Sequence, residues 1–111
     1  MATKTTAEFI PEVLLELGII STEETPAADQ YNTVLNRLTT IQEELEVEGL
    51  GAFDINAIPY PIYLPLVEYI AARCSRLFGV NDYPDRDAAL ILYRRKVMTP
   101  YTGRVAEIQT F

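Results

Sequence analysis

The sequence predicts an all-α fold: a small bundle of about four helices over residues 1–98, with a long central loop and an extended C-terminal arm over 99–111. Three observations lead there. Apolar residues recur at three- and four-residue spacing in four segments. Two of those segments open on recognisable start signals, Thr5 with Glu8 and Thr25 with Pro26. Glycines at 18, 49 and 79 stand where three of the helices should stop.

In the first segment, "TTAEFIPEVLLELGII", Ile10, Val13, Leu14 and Leu17 share a face and Glu8, Glu12 and Glu16 form the opposite stripe. Thr5 and Glu8 have the spacing of a capping box, and Gly18 is the stop. Pro11 removes one ladder bond, so a kink or a late start is expected there. The second segment starts at Pro26 with Thr25 as N-cap and runs to Glu48, a helix about 34 Å long. Tyr31, Val34, Leu35, Leu38, Ile41 and Leu45 form its apolar face.

"VEGLGAFDINAIPYPIYLP" then interrupts the helical pattern with about a dozen residues, where compact domains usually connect elements in 4 to 6. Phe53, Ile55, Ile58, Tyr60 and Tyr63 need burial somewhere. They either cover their own core or form a surface that meets other copies or other proteins. The third helix starts at Pro61 or Pro65, is apolar nearly all round, and closes at Gly79; a helix of that kind is central in a bundle or buried at a subunit contact. The fourth is expected from about Pro84 to Val97, with Ala88, Ala89, Ile91, Leu92 and Val97 available to the core. Its acidic first turn and basic last turn suit the helix dipole. From Thr99-Pro100 onward the chain reads as extended, with Tyr101, Val105, Ile108 and Phe111 apolar.

With 111 residues the chain is one domain's worth, 49% hydrophobic and 23% charged, ordinary for a soluble globular protein. A net charge of −7 argues against general nucleic-acid binding, which needs basic surface to displace counterions. The charge is polarised: residues 1–56 carry two basic and eleven acidic side chains, residues 57–111 seven and five. Such polarity suits head-to-tail alignment of identical subunits, or two solvated faces. No apolar run approaches the roughly 20 residues that span a bilayer.

No enzyme is expected, and no catalytic residue, cofactor or metal ligand is assigned. The chain has no histidine, and Cys74 is alone in an apolar run, so it forms no intrachain disulfide and reads as a small hydrophobe. The acidic run Glu43, Glu44, Glu46 and Glu48 lacks the alternating ligands and central glycine of a calcium loop.

The ordered motifs "LGII", "ETPAAD", "VLNRL", "EVEGLGAF" and "YIAARCSRLFG" span roughly residues 7 to 80. In that combination the chain resembles the head-to-tail adaptor proteins of tailed bacteriophages, also labelled tail accessory or packaged-DNA stabilisation proteins. It departs from their pattern at Pro11 and in the proline-rich start of the third helix.

The resemblance implies a structural virion protein in the neck, assembled in the host cytoplasm. It would be a homo-oligomeric ring, a dodecamer, bound to the portal protein above and to a tail or stopper protein below, with no membrane partner. DNA would pass through without specific binding. It makes Thr99–Phe111 a candidate portal-binding arm, with Pro100, Tyr101, Arg104, Val105, Ile108 and Phe111 as contact residues. Glu43, Glu44, Glu46 and Glu48 become candidates to face the DNA channel, where carboxylates repel phosphate over a Debye length of about 8 Å. Alternative readings are a stopper or tail-completion protein, or a small helical nucleic-acid-binding packaging subunit with Arg94–Lys96 as its basic element.

Overall fold

The computed structural model describes residues 2–51, 53–80, 83 and 85–109, with side chains described as far as Val97. It is an all-α bundle with one very short sheet. In order, the elements are β1 (Thr3–Lys4), α1 (Thr6–Glu16), α2 (Ala28–Val47), β2 (Ile58–Pro59), α3 (Tyr60–Cys74), a 3₁₀ turn (Ser75–Phe78) and α4 (Arg86–Gln109).

Thr5 caps α1 as its spacing predicted: its side chain accepts from the Glu8 amide, and the Glu8 carboxylate accepts from the Thr5 amide at 2.9 Å. The helix runs unbroken through Pro11, where a kink or late start was expected. Pro11 is the sixth helical residue and deprives only the carbonyl of Ala7, an exposed residue, of a partner. Pro65 stands at the same position in α3, which begins at Tyr60 with Pro61 in its first turn. The first of the two candidate starts is therefore the one used.

Helix α2 starts two residues later than expected. Ala27 is the N-cap and Thr25 is not; the Ala27 amide donates to Gln30 Oε1 at 3.0 Å. Val34, Leu38, Ile41 and Leu45 are buried along the predicted face, with Tyr31 and Leu35 half-buried beside them. The helix ends at Gly49, whose φ of +76° lets the Leu50 amide return to the Leu45 carbonyl at 2.8 Å. The same turn, with φ +74°, ends α1 at Gly18 and the 3₁₀ segment at Gly79.

Helix α3 packs on α1, α2 and α4, the central position its all-round apolar character allowed. Leu66, Ile70 and Cys74 meet Phe9, Ile10 and Leu14 of α1 and the α2 stripe in one core. Phe9 and Tyr63 meet edge to face at 5.8 Å, and Tyr69 stacks on Tyr93 at 6.3 Å.

Helix α4 departs from expectation in two ways. Its core face is Ala89 and Tyr93, with Leu90 and Val97 half-buried, whereas Ala88, Ile91 and Leu92 are exposed. Tyr93 serves as a core residue because its hydroxyl finds the Leu50 carbonyl at 2.7 Å. Its backbone also remains helical to Gln109, so the arm expected from Thr99 continues α4. Proline has a helical φ, so Pro100 costs that helix one ladder bond and its position does not force an end. The terminal segment is thus an arm of helical backbone, and the molecule is longest, 51 Å against 27 and 26 Å, along one axis.

Candidate assembly surface

The central loop is held mainly by its own chain. Lys4 and Ile58 are antiparallel partners, as are Thr3 and Pro59, so the N-terminal strand fastens the loop's end to the start of α3. The Thr6 hydroxyl donates to the Ile55 carbonyl, and Gln42 Nε2 donates to the carbonyls of Gly51 and Phe53 at 3.0 and 2.8 Å. Gly51 lies so close to α2 that a Cβ there would stand 2.7 Å from the Gln42 carbonyl oxygen and the Glu46 amide nitrogen.

Of the five loop residues offered as contacts for a neighbour, Ile58 and Tyr63 are buried in the core and Phe53 and Ile55 pack half-buried against it. They are committed to their own domain, because the loop is short enough in space to lie across the ends of α1 and α2. Tyr60 alone of the five is exposed.

The acidic run divides. Glu44 forms a two-pronged pair with Arg73 at 3.0 and 3.3 Å, and Glu48 reaches Arg94 at 2.8 Å. The Arg73 hydrogen bond holds the Glu44 carboxyl below its ordinary value of 4.5, and the same bond raises Arg73. Glu43 and Glu46 are exposed and form no ion pair among the described residues. Two of the four carboxylates are thus compensated by arginines of α3 and α4. The arm residues Pro100, Tyr101, Arg104, Val105 and Ile108 lie on the α4 backbone but outside the described side chains; Phe111 lies outside the described residues.

Sequence reasoning missed one surface. Between the N-terminal half of α3 and the middle of α4 lies an open groove of about 530 Å³, its apolar lining made by Tyr60, Pro61, Leu64, Pro65 and Leu92. Leu64 is 61% exposed, Tyr60 51% and Leu92 48%. Glu68 stands on the α3 side and Arg95 and Lys96 on the α4 side. The i, i+4 spacing of Tyr60 with Leu64 and of Pro61 with Pro65 marks one helix face. In a helix apolar on every side, that spacing carries no sign of which face stays outside.

A second unused apolar residue is Val47, 89% exposed in the last turn of α2. At 100° per residue it falls between Glu43 and Glu44 on the helix circumference. No residue groups able to hold a metal ion occur among the described residues, and no helix there is long and apolar enough to cross a membrane. No protein-family model, curated protein or solved structure matches the chain.

Proposed function

We propose that the chain is a structural virion protein of a tailed bacteriophage: a head-to-tail adaptor whose copies form a ring, a dodecamer, between the portal and the tail. The observation that carries this reading is the α3–α4 groove. The bundle closes its core with four helices and leaves Tyr60, Leu64 and Leu92 uncovered in one concavity. Apolar surface gathered in a concavity marks a place where another molecule is received, and covering it returns about 25 cal/mol per Å².

The resemblance supports the same reading, and its motifs fall at joints of the fold. "LGII" contains the Gly18 turn, "EVEGLGAF" the Gly49 turn and the close approach of Gly51, and "YIAARCSRLFG" the C-terminal end of α3 and the Gly79 turn. The 99–111 arm is assigned to the portal. Its helical backbone to Gln109 supports docking as a helix in a groove over docking as an added strand. The platform away from the portal meets a tail or stopper protein, and the net charge of −7 suits a ring through which DNA slides without adhering.

Electron microscopy of DNA-filled heads, produced from the genome that encodes this chain, tests the proposal. Heads carrying the protein should show a ring of density below the portal. Protein lacking residues 99–111 should remain folded by circular dichroism and fail to dock. A portal vertex identical with and without the protein, or full docking by the truncated chain, overturns the reading.

A further inference from the structure

We infer that the α3–α4 groove receives the acidic C-terminal end of α2 from a second copy of the chain, with Val47 as the inserted side chain. This rests on the assembly reading above and names the occupant of its groove.

The two surfaces complement each other in shape and charge. The groove is lined mainly by apolar side chains, bears Arg95 and Lys96 from α4 and Glu68 from α3, and has ample room for a valine with the stems of its neighbours. The end of α2 offers one highly exposed apolar side chain, with Glu43 and Glu46 on its outward side. Glu44 and Glu48 are turned inward to Arg73 and Arg94 and so fix the end of α2 against its own bundle. What remains outside is an apolar tip with an acidic flank, against a groove whose α4 side is basic.

Helix α4 also separates the two surfaces. Arg94 takes the end of α2 through Glu48, while Leu92 faces the groove; residues two apart lie about 160° from each other around a helix. Plug and groove therefore occupy opposite flanks of α4, and a copy whose groove is filled still presents its own Val47. A contact between two different patches is heterologous and propagates from copy to copy, giving a ring where the rotation closes and a filament where it does not. Glu43 and Glu46 are thereby assigned to a subunit contact and not to the DNA channel.

The test uses the full chain. Val47→Cys carries a nitroxide label, buried Cys74 staying unmodified, and is mixed with ¹⁵N-labelled wild-type protein. Amide signals of Leu64, Leu92 and Lys96 should broaden selectively. Glu43→Lys with Glu46→Lys in the labelled copy should weaken the broadening about two- to fivefold, the size expected of exposed charge pairs. Lys96→Glu in the other copy should restore part of it. Leu64→Glu, at an exposed position, should abolish it while the fold persists.

Absent or uniform broadening at millimolar protein, or broadening centred on residues 43–48 of the second copy, overturns the contact. The outcome separates from that of the portal experiment. A ring below the portal without Val47–groove broadening sinks this contact alone. Broadening without a ring keeps the homotypic contact and removes the chain from the neck.

Discussion

The Tyr93 hydroxyl donates to the Leu50 backbone carbonyl at 2.7 Å across 43 residues of sequence, tying α4 to the turn that ends α2. Leu50 is also the residue whose amide closes that turn on Leu45. One phenol thus holds the end of one helix and the middle of another.

Tyr93→Phe should cost about 1–2 kcal/mol, since it leaves a carbonyl of a buried residue without this donor. Tyr93→Ala should cost about 3–5 kcal/mol by adding a cavity beside Tyr69. Urea unfolding measures both. Tyr60→Phe, at an exposed position, should leave the midpoint unchanged.

Gly51 and Gly49 should respond to substitution for different reasons. Gly51→Ala forces a Cβ into the α2 backbone and should lose about 1–3 kcal/mol by overpacking. Gly49→Ala meets open space but keeps φ at +76°, a left-handed strain of about 1–2 kcal/mol. Gly49→Asn should retain more stability than Gly49→Ala, because asparagine tolerates that region; no such rescue is expected from Gly51→Asn. Thermal unfolding of the four variants distinguishes them.

Acid should destabilise the fold through Glu44 and Glu8. Arg73 lowers the first, and the Thr5 amide chiefly lowers the second, both below 4.5. A carboxyl depressed in the folded state contributes stability that is complete above its unfolded value and disappears as pH falls through the folded value. The urea midpoint should therefore hold from pH 7 to about 5 and drop below 4.5, and Glu44→Gln should flatten part of that drop. An unchanged slope in Glu44→Gln would show that the Arg73 pair contributes nothing to it.

Alkali should act through the tyrosines. Burial pushes Tyr63 up to about 12 from 10.0, and burial also raises Tyr83 and Tyr93. An acid whose folded value is raised holds its proton in the native state, so this stability is full below pH 10 and lost as pH climbs past it. Unfolding monitored by tyrosinate absorbance should be cooperative between pH 10 and 12, with Tyr93→Phe shifting the onset. Cys74, whose thiol burial raises to about 11 from 9.0, should resist thiol reagents in the native protein and react on unfolding.

Much of this was legible in the sequence where the determinant is local. Thr5 with Glu8 fixes the start of α1, Gly18, Gly49 and Gly79 fix three ends, and the α2 stripe from Val34 to Leu45 fixes a buried face. Helix α4 resists reading because Ala88, Ala89, Ile91 and Leu92 spread over about 160° of its circumference, too wide an arc to mark one inward side. Which side turns inward is decided by Tyr93 finding the Leu50 carbonyl, a partner no local pattern reveals. The pairing of Lys4 with Ile58 and the approach of Gly51 to α2 are likewise tertiary facts. Of the candidate contacts, the groove was hidden by the uniform apolarity of α3, and Val47 by the carboxylates around it.

The pairing of β1 with β2 has a practical consequence. The Tyr60 amide donates to the Ala2 carbonyl at 3.2 Å, so the polypeptide arrives beside the groove's own tyrosine. On the subunit contact inferred above, an affinity tag joined to β1 near Ala2 would compete with the incoming copy for the surroundings of Tyr60. Preparations tagged there should sediment as smaller species than the same protein after proteolytic removal of the tag.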